Sequence, residues 1–421
     1  MSLNAVPGAE RLHIGFFGNR NAGKSSLVNR VTEQELAVVS DKKGTTTDPV
    51  RKSMELLPLG PVVIIDTPGF DDSGSLGDLR VRKTKEILNQ TDIAVLVIDG
   101  SRGITASDRE LAGIIRMKKI PLVVCVNKSE LLEGQEKEKE EELLKSLFSA
   151  EDEQAAKSMP KVIFVSAMKG TNIFELKEMI GREGKEAAEK PSMLDGIVKR
   201  GDRVVLVIPI DSSAPKARLI LPQQMVIHDL LIKGAEAVCV KDTELEGCLA
   251  RMYGEPDLVI TDSQVFGKVA KLVPEQVPLT SFSILMARYK GLLTYACQSV
   301  TALDRLKDGS RVLISEGCTH HRMCDDIGSY KLPNWVRRYA KCEPEFRLSS
   351  GHGFTEEPEE YAAIIHCGGC MLNEREMRFR MKQAEDAGVP MTNYGIAIAY
   401  MNGILRRSTA MLPEIRGIFE K

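Results

Sequence analysis

The sequence predicts an α/β protein made of three successive α/β domains with mainly parallel sheets. Short apolar runs recur along the chain and are separated by helix-length segments. These runs are continuous rather than alternating, which is typical of parallel strands covered on both faces. A glycine-rich loop at residues 18–25 lies between the first apolar run and the first helical segment. A loop of this kind between a strand and a helix is typical of phosphate-binding α/β domains.

The apolar runs are predicted to be the strands of these domains, in chain order. The runs of the first series are residues 12–17, 61–66, 93–99, 121–127 and 161–166. Those of the second and third series are residues 203–211, 236–241, 256–262, 311–317, 361–369 and 389–395. A charged, linker-like stretch around residues 182–200 separates the first series from the second. We therefore expect domains at residues 1–185, 186–265 and 266–421.

Composition argues against a nucleic-acid-binding or membrane protein. Charged residues make up 28% of the chain, the formal net charge is −2 and the sequence pI is near 6.4. Domains that bind phosphate backbones are usually basic. No apolar run approaches the roughly 20 residues that cross a bilayer, and the first residues lack the apolar core of a signal peptide. We expect a cytoplasmic protein with neither a nucleic-acid nor a membrane partner.

Residues 18–25, GNRNAGKS, match the phosphate-loop pattern G-x-x-x-x-G-K-S/T. Gly18 and Gly23 let the backbone curl so that successive N–H groups point at phosphate oxygens. Lys24 is predicted to reach the β and γ phosphates, and Ser25 to bind Mg²⁺.

Two further motifs supply the rest of the magnesium site. DTPG, residues 66–69, follows the second apolar run, where Asp66 can hold the water shell of Mg²⁺ and the N–H of Gly69 can contact the γ phosphate. GTTTD, residues 44–48, lies between this motif and the phosphate loop, so that Thr46 can close over the metal. We expect Mg²⁺ to be bound by Ser25, Thr46 and Asp66.

Two motifs at later strand ends are predicted to recognise the base. NKSE, residues 127–130, offers the amide of Asn127 and the carboxylate of Glu130, and SAMKG, residues 166–170, ends the next run. Five motifs in this order predict GTP as the ligand. The predicted nucleotide-binding residues are Asn19, Arg20, Asn21, Ala22, Gly23, Lys24, Ser25, Ser26, Asp66, Gly69, Asn127, Lys128, Glu130, Ser166, Ala167 and Met168.

This set of motifs resembles the GTPases of the Era, EngA and MnmE kind over about residues 10–180. The sequence departs from the usual N-K-x-D at Glu130, which can still pair with the guanine N–H groups. Phe70 stands where Ras-like proteins have a glutamine that orients water. The resemblance implies that Asn21 helps to bind K⁺ and that Lys24, Asn21 and Thr46 act in hydrolysis. Without the glutamine we expect slow, switch-like hydrolysis of GTP.

Two cysteine-bearing segments follow apolar runs near the end of the chain. The first contains Cys318-x-His320 and the second His366-Cys367-Gly-Gly-Cys370. Both segments are predicted at the carboxyl ends of strands, where open α/β sheets build ligand sites. Nine cysteines in a long chain of this kind do not indicate a disulfide framework.

Three thiolates favour a [4Fe–4S] cluster over a zinc site, which usually has four protein ligands. The fourth iron would be held by His320, His366, a carboxylate or an exchangeable ligand. A structural zinc site and a thioredoxin-like C-x-x-C redox pair are the alternatives, and Cys324 is the rival third cysteine ligand. Cys125 and Cys239 lie in apolar runs and are predicted to be core residues.

A phosphate-loop GTPase joined to these cysteines resembles the HydF family of [FeFe]-hydrogenase maturation GTPases. The resemblance extends to residues 205–224 and 277–291, which carry no catalytic motif. It implies a scaffold that assembles and carries a two-iron subcluster precursor to the [FeFe]-hydrogenase apoprotein. It also implies cooperation with two radical-SAM maturases and a homodimer formed by the middle domain. The alternative functions are a ribosome- or tRNA-associated GTPase with a zinc site and a GTP-gated disulfide reductase.

Overall fold

The protein is described by a computed structural model that divides it into two compact units, Met1–Lys190 and Pro191–Lys421. The described residues are 8–33, 49–70, 75–132, 146–148, 159–185, 192–210, 219–318, 327–351 and 353–418. Within these ranges no helix is both long enough and apolar enough to span a membrane.

The first unit contains a six-stranded sheet in the order β2-β3-β1-β4-β5-β6. Its strands are β1 Leu12–Phe17, β2 Val50–Leu56, β3 Gly60–Asp66, β4 Ile93–Asp99, β5 Leu122–Asn127 and β6 Lys161–Phe164. All neighbouring pairs are parallel except β2 and β3, which are antiparallel. The sequence pattern missed β2 because this edge strand alternates between exposed and buried residues and is less apolar than the others.

Helices cover both faces of this sheet, which explains why its central strands are apolar throughout. The helices are α1 Lys24–Thr32, α2 Ser75–Leu88, α3 Ala106–Met117 and α4 Ile173–Glu183. One core joins Ile14 and Ile64 to α1 and α4, and the other joins Phe17 and Ile65 to α3. The start of α3 is fixed by a capping box in which Thr105 and Asp108 each bond the other's backbone N–H.

The second unit contains two four-stranded sheets in which every pair is parallel. The sheet in the order β10-β9-β7-β8 consists of β7 Arg203–Val207, β8 Glu236–Val240, β9 Leu258–Thr261 and β10 Leu279–Ser281. The sheet in the order β12-β11-β13-β14 consists of β11 Arg311–Glu316, β12 Glu345–Ser350, β13 Ala363–His366 and β14 Met391–Asn393.

Nine helices of the described ranges pack around these two sheets. They are α5 Leu221–Lys233, α6 Leu245–Arg251, α7 Phe266–Leu272, α8 Phe282–Tyr289, α9 Leu293–Ser299, α10 Leu332–Ala340, α11 Glu374–Asp386, α12 Tyr394–Met401 and α13 Leu405–Thr409. A single apolar core extends from β7 and β9 through α8 to β11 and β13. The two sheets therefore share one continuous interior.

The predicted α/β architecture with mainly parallel sheets is confirmed. The division expected at residue 265 stays a prediction, and it falls between β9 and β10, which pair with each other. Cys125 is buried as predicted, but Cys239 is exposed because β8 is an edge strand. An apolar run does not by itself distinguish a central strand from such an edge.

Candidate functional site

The phosphate loop connects β1 to α1 and bends around a lysine. Gly23 precedes α1 with φ of 89° and contributes no side-chain cap to the first N–H groups of the helix. The Nζ atom of buried Lys24 donates hydrogen bonds to the carbonyl oxygens of Gly18 (2.9 Å) and Asn19 (2.7 Å). The ammonium group thus lies within the loop, at the positive end of the helix dipole. This arrangement is suited to binding phosphate.

Asp66, at the end of β3, lies beside this loop. Burial raises the pKa of Asp66, while a hydrogen bond from Ser25 and the charges of Lys24 and Lys52 act in the opposite direction. Its Oδ1 atom is buried and has no hydrogen-bond partner among the described residues. The structure therefore brings together Ser25 and Asp66, two of the predicted Mg²⁺ ligands. The third, Thr46, lies outside the described residues.

The DTPG segment is in contact with the phosphate loop. A Cβ atom on Gly69 would lie 2.9 Å from the backbone nitrogen of Arg20, so only glycine fits this approach. The N–H of Phe70 donates to the carbonyl of Gly18 at 3.3 Å. The side chain of Phe70 is buried in the apolar core and cannot orient a water molecule.

Asn127 connects the two base-recognition motifs to the phosphate loop. Its Nδ2 donates to the carbonyl of Ala22 at 2.9 Å, and its Oδ1 accepts from the N–H of Ala167 at 3.0 Å. Glu130 lies in the short 3-10 turn Ser129–Leu131, and its buried Oε2 has no partner among the described residues. An unpartnered carboxylate oxygen at this place fits the N–H donors of guanine.

The remaining predicted nucleotide-binding residues lie in the phosphate loop, in the first turn of α1 and in the loop that follows β6. Ser166 is buried, whereas the side chain of Met168 is exposed. Arg30 of α1 donates to the carbonyl oxygens of Ala167 (2.9 Å) and Met168 (3.1 Å) and so fixes this loop. The side chains of Arg20 (half-buried), Asn21 (exposed) and Ser26 (exposed) lie on the outer side of the phosphate loop and of the first turn of α1.

Asp99 is a residue of this site that sequence analysis missed. It ends β4 and lies 2.5 Å from the ammonium of Lys128, and it accepts hydrogen bonds from the N–H (3.0 Å) and hydroxyl (2.6 Å) of Ser101. Burial alone would raise the pKa of Asp99, but the hydrogen bonds from Lys128 and Ser101 lower it below its usual value. Its place directly after an apolar strand, like that of Asp66, was the available signal.

The cysteine site lies where β11 and β13 end side by side. Ser315 pairs with His366 in the sheet, and the N–H of Cys367 donates to the carbonyl of Ser315 at 2.8 Å. The Sγ atom of Cys367 accepts hydrogen bonds from the N–H groups of Gly317 (3.1 Å) and Gly369 (3.4 Å).

The three predicted cysteine ligands lie close enough to interact electrostatically. Burial, together with the neighbouring Cys370 and Cys318, raises the pKa of Cys367 to about 12, although the hydrogen bonds from Gly317 and Gly369 act in the opposite direction. A buried thiol of this kind beside two other cysteines is suited to a cation that compensates the negative charge of the thiolates. Gly369 has φ of 64°, and a Cβ atom there would lie 2.5 Å from Sδ of Met377, so this turn requires glycine.

His366 is fully buried, and both of its ring nitrogens are in hydrogen bonds. Nδ1 lies 2.9 Å from the carbonyl oxygen of Cys367, and Nε2 lies 3.0 Å from Nη1 of Arg380. Burial and the charge of Arg380 lower the pKa of His366 to about 3. This geometry argues against the prediction of His366 as an iron ligand. His320 and Cys324 lie outside the described residues.

Among the described residues, no group of three or more His, Cys, Asp or Glu side chains could hold a single metal ion. Cys318, Cys367 and Cys370 are among the described residues.

Three family models match successive parts of the chain. Residues 13–128 match a 50S ribosome-binding GTPase model, residues 193–291 a hydrogen maturase F dimerization domain, and residues 294–411 a hydrogen maturase F tetramerization domain. The last two models cover most of the second unit.

Curated relatives match the first unit. The tRNA modification GTPase MnmE of Heliobacterium modesticaldum is 36% identical over 166 residues, which is 39% of this chain and 32% of that protein. GTPase Der of Fusobacterium nucleatum is 31% identical over 181 residues, or 41% of this chain and 40% of that protein. The chain thus spans a third to two fifths of the length of these relatives.

Among solved structures, Era in complex with MgGDPNP and a segment of 16S ribosomal RNA is 18% identical, with a TM-score of 0.36. The match covers 54% of this chain and 91% of Era.

A GTPase domain is thus followed by both domains of hydrogen maturase F, and the thiol site lies in the second of them. The chain belongs to the hydrogen maturase F family.

Proposed function

We propose that this protein is a GTP-hydrolysing scaffold that assembles a two-iron subcluster precursor and delivers it to the [FeFe]-hydrogenase apoprotein. Two radical-SAM maturases would be its other partners. The observation that carries the proposal is the group of three thiols at the adjacent ends of β11 and β13. It stands in a chain that also carries a nucleotide pocket. Family membership supports the same conclusion.

The first unit would bind GTP with Mg²⁺ and hydrolyse it slowly. The buried, unpartnered carboxylate oxygens of Asp66 and Glu130 fit a metal-bound nucleotide whose base donates N–H groups. Ser25, Asp66 and Thr46 would hold Mg²⁺, which when bound neutralises negative charge on the phosphate oxygens. Asn21 would bind K⁺. The core position of Phe70 supports slow hydrolysis, because it leaves no side chain there to orient water.

Cys318, Cys367 and Cys370 would hold a [4Fe–4S] cluster. Soft thiolates select iron–sulfur clusters, and N–H groups that point at a cysteine sulfur are usual around them. The two N–H bonds to Sγ of Cys367 support this assignment. When bound, the cluster would supply one iron without a cysteine ligand, at which cargo can attach. With both nitrogens of His366 in use, His320 is the remaining histidine for that iron.

Residues 186–265 would form the homodimer contact. The edge strand β8 has half-buried and exposed residues, including exposed Cys239. Leu231 and Ile232 of α5 are 66% and 71% exposed and are adjacent in sequence, so together they form an apolar patch. An open strand edge beside exposed apolar residues is a surface that a second copy can cover.

Anaerobic reconstitution with iron and sulfide tests the cluster. We expect a brown protein with the EPR signal of a reduced [4Fe–4S] cluster, and a severe loss of iron in Cys318→Ser, Cys367→Ser and Cys370→Ser. Cys342→Ser is the control, because Cys342 precedes β12, at the end of the sheet opposite the site, and should leave iron uptake unchanged. A colourless protein with stoichiometric zinc would refute the proposal and favour a zinc-bearing GTPase. Loss of iron in Cys324→Ser with none in Cys318→Ser would mean that Cys324 is the third ligand.

Nucleotide selectivity tests the GTP pocket. Glu130→Ala should weaken GTP binding by about 2 kcal/mol, because a charged hydrogen-bond acceptor is lost. ATP binding should change little. Glu110→Ala removes an exposed carboxylate from α3 and is the matched control. Equal loss for both nucleotides, or equal turnover of ATP and GTP by the unchanged protein, would contradict the assignment.

A further inference from the structure

Arg380 is a fully buried arginine behind the cysteine site. It belongs to α11, the helix that follows the C-x-x-C turn, and is 1% exposed. Its Nη2 donates to Oε1 of Glu376 at 2.6 Å and to the carbonyl of Gly351 at 2.8 Å. Its Nη1 lies 3.0 Å from Nε2 of His366, and the guanidinium stacks on Phe354. One side chain thus joins α11 to the ends of β12 and β13.

The contacts of His366 with Arg380 and with the carbonyl oxygen of Cys367 together determine where the imidazole carries its proton. A guanidinium has only donors, so Nε2 of His366 must accept and cannot be protonated. The proton of the neutral ring is therefore on Nδ1, which donates to the carbonyl oxygen of Cys367 at 2.9 Å. Neither nitrogen then has a lone pair available for a metal.

This chain of hydrogen bonds ends at the cysteine segments. The carbonyl of Cys367 is fixed by His366, and the N–H of Cys367 is fixed by the carbonyl of Ser315 on β11. Both sides of the Cys367 backbone are therefore restrained, one of them through Arg380.

We propose that Arg380 is a positioning residue of the cysteine site: it holds His366 in the Nδ1–H tautomer and thereby fixes the backbone that presents Cys367. His366 is then part of the frame around the site and not an iron ligand. The inference deepens the proposed function and depends on it only where the cluster itself is measured.

Arg380→Lys is the most informative change at this position. Lysine keeps a positive charge beside the buried carboxylate of Glu376, which a neutral residue would remove. An ammonium group lacks the fork that serves His366 and Gly351 at once. His366→Asn is the second variant, because its amide N–H can replace Nδ1–H, whereas His366→Ala cannot. Lys382→Gln alters an exposed residue of the same helix and is the control.

The first measurement is ¹⁵N NMR of histidine-labelled, iron-free protein, in which six histidines give resolvable ring signals. The signal lost in His366→Asn identifies His366. We expect it to show protonated Nδ1 and bare Nε2 in the unchanged protein and in Lys382→Gln. In Arg380→Lys we expect a mixture of tautomers. Protonated Nε2 in the unchanged protein, or an unaltered spectrum in Arg380→Lys, would overturn the proposal.

The second measurement is EPR of the reconstituted cluster. We expect shifted g values at similar iron content in Arg380→Lys and His366→Ala, and the unchanged spectrum in His366→Asn. Identical spectra in all variants, or an imidazole nitrogen coupling that His366→Asn removes, would overturn it. If Arg380→Lys does not fold, the His366 tautomer in the unchanged protein and the EPR spectra of the two His366 variants still test the proposal. Unchanged protein that takes up no cluster would refute the proposed function, while the tautomer tests Arg380 independently.

Discussion

Asn21 shows how backbone and side chain can require the same residue for different reasons. Its φ of 60° lies in the left-handed region, which asparagine tolerates better than most residues other than glycine. Its side chain is exposed at the phosphate loop, where an amide oxygen can bind a cation. A substitution by alanine would disturb both properties at once. Glycine separates them, because it keeps the left-handed turn and removes only the side chain.

We therefore predict that K⁺ stimulates GTP hydrolysis by the unchanged protein about tenfold or more, and that Asn21→Gly loses most of this stimulation. A cation bound here would stabilise the negative charge of the transition state. Binding of GTP should change little. The measurement compares turnover in KCl and NaCl at equal ionic strength. Equal rates in the two salts for the unchanged protein would show that K⁺ has no role in hydrolysis. Full K⁺ stimulation in Asn21→Gly would show that the Asn21 side chain does not bind K⁺.

The ends of β4 and β5 are joined more firmly than their backbone pairing requires. Beyond the last pair, Asp99 with Asn127, the N–H of Gly100 donates to the carbonyl of Asn127 at 2.9 Å. The carboxylate of Asp99 then holds Lys128, whose φ of 63° is left-handed. This ion pair supports the turn that presents Asn127 and Glu130.

The lowered pKa of Asp99 gives this ion pair a defined pH dependence. A carboxyl group whose pKa is lowered in the folded state stabilises the protein at pH values above its ordinary pKa of 3.8. This stabilisation is lost as the pH falls below 3.8 and through the lowered pKa of the folded state. Asp99→Asn should therefore cost about 1 kcal/mol near neutral pH and almost nothing in acid. Thermal unfolding across pH measures the difference. Glu178→Gln, in an exposed pair of the same unit, is the control, and a pH-independent difference would contradict the argument.

The exposed edge of β8 leads to a prediction on assembly. Lysine on an edge strand opposes pairing with another strand, so Cys239→Lys should convert dimers into monomers. Met117→Lys places the same charge in α3, outside residues 186–265, at a residue that is 78% exposed, and should leave the dimer intact. Light scattering distinguishes the two states. A dimer that persists in Cys239→Lys would show that the interface lies on another surface.

Apolar runs were sufficient to predict the central strands and three of the six edge strands of the described sheets, β6, β8 and β14. The other edge strands, β2, β10 and β12, were missed: β2 and β12 carry exposed polar residues that interrupt the apolar pattern, and β10 is only three residues long. Motif spacing was sufficient for Lys24 and Asp66, which the fold brings to one place. It could not predict the role of His366, because its partner Arg380 follows 14 positions later on a different element. Side-chain direction depends on such tertiary contacts.

Arg407 of α13 connects the two sheets of the second unit. Its guanidinium donates to four carbonyl oxygens in the last turn of α7 and in the segment that follows it. They belong to Ala270, Val273, Pro274 and Val277. These residues lie within the match to the dimerization domain, whereas Arg407 lies within the match to the tetramerization domain. Together with the shared apolar core, this contact makes the two domains one folded body.

Arg407→Ala should accordingly destabilise the second unit by about 2 kcal/mol, because several carbonyls, three of them in partly buried hydrogen bonds, lose a charged donor. Urea unfolding of the full chain measures the loss. GTP hydrolysis should be unchanged, since Arg407 belongs to the second unit. The neighbouring Arg406→Ala is the control, because Arg406 is exposed. Equal midpoints for the two variants would show that the carbonyls find other donors.

The hydrogen bond between Gly317 and Cys367 joins residues 50 positions apart in sequence. This separation bears on the order in which the chain folds and binds metal. No short peptide from this chain contains all three cysteines, Cys318, Cys367 and Cys370. It comes into existence only when β11 and β13 lie in register, with Ser315 opposite His366. Small zinc modules use their metal to drive folding. For the cluster that we propose, the order would be reversed: the newly made chain would fold first and acquire iron afterwards.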